Sequence, residues 1–65
     1  FKALVKKYES DIASGFATMI VYFDSYVVIG EHPQFIEEMD KQLEKISNAE
    51  EKLVTLNKHF NNTQI

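Results

Sequence analysis

Residues 35–60, FIEEMDKQLEKISNAEEKLVTLNKHF, decide the fold. Within them Phe35, Met39, Gln42, Ile46, Ala49, Leu53, Leu56 and Phe60 follow one another at alternating steps of four and three. On a helix that spacing makes one stripe, a seam of the coiled-coil kind. Opposite the seam stand Glu37, Glu44, Glu51 and Lys58, seven apart, as a solvated outer face requires. Glu37 precedes Lys41 by four residues, the favourable order for a helical ion pair. Ser47 with Glu50 three later is a capping-box pattern that could begin a new helix. The heptad passes through Ser47 without a skip and leaves no room for a loop. The sequence therefore predicts one helix from about Pro33 to Phe60, with a polar tail over 61–65.

The same rhythm runs through the first half of the chain. Phe1, Val5, Tyr8, Ile12, Gly15, Met19, Tyr22, Tyr26 and Ile29 make a second seam, which predicts a helix from about Lys2 to Ile29. Thr18 to Ile29 is dense in β-branched and aromatic residues and could be read as two strands turning at Asp24-Ser25. A two-residue hairpin turn favours glycine, and none stands there. Gly15 in mid-helix costs about 1 kcal/mol relative to Ala. It either permits close approach of another helix or is a tolerated imperfection.

Gly30-Glu31-His32-Pro33 lies between the two patterns. Gly30 suits a helix stop, and Pro33 suits the first turn of the next helix, where its missing N–H is no loss. So short a connection forces antiparallel neighbours. The expected fold is all-α: one domain over 1–65, with two long helices, a turn at 30–33, and a bundle completed by oligomerisation or by a partner.

The need for completion comes from surplus apolar surface. Phe16, Ile20, Phe23 and Val27 form a second stripe on the first helix, flanked by Val21 and Val28. Polar residues at that level are confined to a strip with Asp11, Thr18, Asp24 and Ser25. One amphipathic partner helix covers one face only. Ile36 and Leu43 widen the second helix's apolar face without doubling it. A contiguous patch of this kind marks an interaction surface. Phe16, Ile20, Phe23, Val27 and Val28 are the candidate interface. The candidate core seam is Tyr8, Ile12, Met19, Tyr22, Tyr26, Ile29, Phe35, Met39, Ile46, Leu53, Leu56 and Phe60. Seam tyrosines are core residues whose hydroxyls reach an edge or a partner. One of them is expected to hydrogen-bond Gln42, a polar seam residue of the kind that fixes register or partner choice.

Composition narrows the function classes. The chain has 65 residues, too few for a large core, and no cysteine for a disulfide or thiolate metal site. Its net charge is −3, and it contains no arginine, the usual residue for bidentate phosphate recognition. An AT-rich coding sequence would account equally for the bias toward Lys, Asn and Ile. Both charge and composition argue against nucleic acid as a partner, and the Lys2, Lys6 and Lys7 cluster is read as a solubility feature. The apolar stretch from Gly15 to Gly30 is interrupted by Asp24 and is shorter than the roughly 20 residues of a membrane span. No signal peptide is visible, and a cytoplasmic location is favoured. The first residue is Phe1 rather than Met, so a trimmed chain is expected. Asn61-Asn62-Thr63 fits the N-glycosylation pattern, read here as a chance match.

No metal, cofactor or catalytic group is predicted. His32 and His59 belong to opposite ends of the expected hairpin and cannot share an ion. The carboxylates at Glu37, Glu38, Asp40, Glu44, Glu50 and Glu51 interleave with Lys41, Lys45 and Lys52, as on an ordinary solvated face. Asp11 and Asp24 have apolar neighbours but no second catalytic group at helical spacing. The expected protein is not an enzyme. It is a protein–protein interaction or assembly module that binds itself, with a dimer favoured, or a helical partner. The alternative is a small acidic regulator of the immunity-protein, antitoxin or secretion-chaperone type, acting through the acidic face of the second helix.

Overall fold

The computed structural model describes residues 1–24 and 33–61. Tyr26, Val27, Val28, Ile29, the turn residues Gly30, Glu31 and His32, and the tail from Asn62 lie outside the described residues. The described residues form two helices: α1, Lys2–Asp24, and α2, Pro33–Phe60. Among the described residues there is no strand. The segment from Thr18 to Asp24 is helical despite its β-branched and aromatic content, because the heptad gives it an apolar seam to bury. Similarly, α2 runs unbroken through Ser47 and Glu50.

Local chemistry supports both helices. The Val5 N–H donates to the Phe1 carbonyl at 3.1 Å and closes the first turn of α1. Ser14 and Thr18 donate their hydroxyls back to the carbonyls of Asp11 and Ser14, so neither hydroxyl competes for an interhelical partner. Lys58 and His59 occupy the last turn of α2, where positive charge complements the helix dipole. Two ion pairs brace the surface: Lys7 to Asp11 at 2.9 Å, and Lys41 to Glu38 at 3.4 Å. The second corrects the sequence expectation for Lys41, whose ammonium reaches one turn back to Glu38 rather than to Glu37.

Three contacts fix the helices as antiparallel neighbours. The Tyr22 ring lies against Phe35, with centroids 5.7 Å apart. Gly15 faces Ile46 and the Gln42 carbonyl. Near the other end, the Lys52 ammonium stands 5.7 Å from the centre of the Tyr8 ring. The resulting molecule is 51 Å long and only 14 by 11 Å across.

So thin a body has little interior. Gly15 and Ala49 are buried, Ala49 to 2 % exposure, and no large side chain among the described residues is fully enclosed. Tyr8, Ile12, Met19, Tyr22, Phe35, Met39, Ile46, Leu53 and Leu56 are half-buried along the seam. Phe60 is exposed, unlike the other described seam positions. The antiparallel register sets Phe60 at or beyond the level of Phe1, so α1 offers it little cover; its ring meets His59 edge-on. The expected hydrogen bond from a tyrosine to Gln42 does not form. The Gln42 Oε1 is buried without a hydrogen-bond partner, because the seam positions opposite it are filled by the Gly15 approach rather than by a phenol.

Candidate interaction face

The register decides which side chains share a flank. In an antiparallel pair, the position beside the seam on one helix faces the equivalent position on the other. Phe16 and Phe23 follow Gly15 and Tyr22 on α1; Ile36 and Leu43 follow Phe35 and Gln42 on α2. Because Tyr22 meets Phe35 and Gly15 meets the Gln42 carbonyl, Phe23 comes level with Ile36, and Phe16 with Leu43. Ile20 stands between the two phenylalanines one position further out. These five residues form one apolar face made by both helices. It occupies the half of the hairpin where α1 ends and α2 begins.

All five are open. Phe16 is 61 % exposed and Phe23 58 %, with Ile36 and Leu43 also more than half exposed and Ile20 close to it. The candidate stripe on α1 is therefore where the periodicity put it, as far as Phe23. Val21, expected to flank it, is exposed on the outer side of α1. Val27 and Val28 lie outside the described residues. Ile36 and Leu43 were read from the sequence only as a widening of α2. The missing signal was that equivalent heptad flanks of an antiparallel pair fall on the same side.

The opposite flank has the contrary chemistry. It carries Asp11 and Thr18 from α1, and Glu38, Lys45 and Lys52 from α2, all but Lys52 partly covered. Both ion pairs lie there. The Lys7 ammonium, by hydrogen bond and charge, and the Lys45 and Lys52 charges across the seam hold the Asp11 carboxyl below its ordinary value. Asp11 in turn raises the Lys7 pKa. At the open end of the hairpin a shallow groove of about 450 Å³ is lined by Tyr8, Asn48, Glu51, Lys52, Thr55, Leu56 and Phe60. Among these lining residues Lys52 is the cation, and its ammonium stands 5.7 Å from the centre of the Tyr8 ring.

No family model, curated protein or solved structure matches the chain. Among the described residues, no helix is long and apolar enough to cross a membrane, and no cluster of three potential metal ligands occurs.

Covering the five apolar side chains would recover about half of the roughly 1.5–3 kcal/mol that full burial of each contributes. That amounts to about 5 kcal/mol per chain, comparable with the lower estimates of what association costs in lost freedom.

Proposed function

We propose that the hairpin is a protein–protein interaction or assembly module, which binds a second copy or a helical partner through Phe16, Ile20, Phe23, Ile36 and Leu43. One observation carries this reading. Apolar flanks from two helices come level, with Phe16, Ile20, Phe23, Ile36 and Leu43 all open and the exposed Asp40 bordering them on α2. Side chains at steps of four and three are the form in which one helix reads the groove of another. An apolar contact of this sort gives a negative heat-capacity change and only a modest loss in high salt.

The test pairs light scattering with fluorescence of an apolar dye such as anilinonaphthalene sulfonate. The chain is expected either to associate or to bind the dye. Phe16→Ser with Phe23→Ser is expected to abolish both while circular dichroism keeps its helical signal. Retention of either association or dye binding in a helical double variant would overturn the reading.

The alternative, a small acidic regulator, draws on Glu37, Glu44 and Glu51, which are exposed along the outer face of α2 and belong to neither ion pair. Binding through them would fall steeply with salt. It would be insensitive to changes at Phe16 and Phe23.

A further inference from the structure

We propose that the apolar face seats a basic amphipathic helix of another protein, whose lysines or arginines meet a row of carboxylates on α2. The inference rests on the interaction reading and names the chemistry of the partner.

Charge is divided unevenly between the two ends of the hairpin. The half that holds the face, residues 13–24 and 33–44, carries Asp24, Glu37, Glu38, Asp40 and Glu44 against Lys41, a side-chain net charge of −4. The other half, residues 1–12 and 45–61, carries six lysines against four carboxylates, a side-chain net charge of +2. The apolar face therefore lies in the acidic half. The lysine of that half is already engaged, since the Lys41 ammonium stands 3.4 Å from the Glu38 carboxylate.

The acids nearest the face are ordered. Glu37, Asp40 and Glu44 stand at steps of three and four, so they form a row along α2 beside the line of Ile36 and Leu43, on the side away from the seam. All three are exposed, and neither ion pair uses them. Asp40 is the innermost, one turn from both Ile36 and Leu43. The same border of α1 is Ala13, Ala17 and Asp24, two small side chains and one acid. A helix lying between α1 and α2 thus meets five apolar side chains beneath it and a carboxylate at each turn along its α2 edge. Apolar anchors with a cationic row beside them complement this pattern. A second copy does not supply it. Its matching face brings another Asp40, and its positive half carries Glu9 and Glu50 on this flank in place of phenylalanine and leucine.

Two labelled synthetic peptides test this by fluorescence anisotropy with the full chain. Both place leucines at steps of three and four; one has lysine at its polar positions and the other glutamate. The lysine peptide is expected to bind at least about tenfold more tightly in low salt, and this advantage is expected to shrink in high salt while binding persists. Asp40→Lys, a change at an exposed position, is expected to weaken lysine-peptide binding by about fivefold. Phe16→Ser with Phe23→Ser is expected to abolish it. Leu43→Gln keeps the test valid if that double variant fails to fold by circular dichroism, and is expected to weaken binding as well. Equal affinities for the two peptides, both lost with Phe16→Ser and Phe23→Ser, would overturn the basic partner and leave the apolar face standing. So would a wild-type dimer in sedimentation equilibrium that the same double variant dissociates, because a second copy would then fill the face. Failure of the lysine peptide to bind at all would also overturn the basic partner. Lysine-peptide binding indifferent to Phe16→Ser with Phe23→Ser and to Leu43→Gln would overturn the face itself.

Discussion

Gly15 and Ile46 define the closest approach of the two helices. A β-carbon placed on Gly15 would lie 2.7 Å from Ile46 Cγ1 and 3.4 Å from the Gln42 carbonyl oxygen. The space a side chain would take is already filled. The glycine therefore trades helix propensity for contact between α1 and α2.

Gly15→Ala is accordingly expected to destabilise the hairpin. The substitution gains about 1 kcal/mol of helix propensity but meets an overpacking cost of roughly 1–3 kcal/mol. The net loss should be about 1 kcal/mol in chemical denaturation. In an Ile46→Ala background the obstruction is gone, and the same substitution should stabilise instead. A double-mutant cycle reads the sign change directly. Additive effects would show that Ile46 does not set the approach.

Gln42 offers the opposite opportunity. Its Oε1 is buried without a partner, a condition that costs about 1–3 kcal/mol. Gln42→Met keeps length and flexibility and removes the unpaired polar atom. The variant should be more stable by about 1 kcal/mol, with a melting temperature several degrees higher. An unchanged or lower melting temperature would mean that the amide finds a partner in solution.

Association should appear in the melting temperature as well. If the chain is an oligomer, its thermal stability rises with concentration by mass action. Phe23→Glu should remove that dependence, whereas Glu44→Lys should leave it intact, because Glu44 lies on the outer face of α2. A melting temperature independent of concentration for the wild type would count against self-association.

The pair of Lys7 and Asp11 predicts a titration. Asp11 is held below its ordinary value of 3.8, first by the hydrogen bond from Lys7. Its folded-state value being depressed, its contribution is present above the ordinary value and lost as pH falls through the lowered one. Lys7 is raised above 10.5, chiefly by the same hydrogen bond, so its contribution is present below that value and fades as pH rises through the folded one. Carboxyl-carbon NMR should place the Asp11 midpoint below 3.8, and Lys7→Gln should move it upward. No movement would show that Lys45 and Lys52 dominate instead.

How much of this was legible in the residues depends on the kind of interaction. Steps of four and three place Phe35, Met39, Ile46, Leu53 and Leu56 on one line of α2 whatever lies beside them, since helical geometry alone does so. The same holds for Phe16, Ile20 and Phe23 on α1. Ion-pair choice was less legible: Lys41 can reach residues three or four away, and rotamers select Glu38.

The sequence by itself determined two amphipathic helices, their seams and an apolar excess near the end of α1, because periodicity is a property of one helix at a time. Tertiary structure decided what lies across the seam. Only the antiparallel register sets Phe23 level with Ile36 and Phe16 with Leu43, merging two partial stripes into one face. Only the approach at Gly15 leaves Gln42 Oε1 enclosed with nothing to bond. Both follow from the relative placement of two helices, a relation between residues some 13 to 31 positions apart that no local pattern encodes.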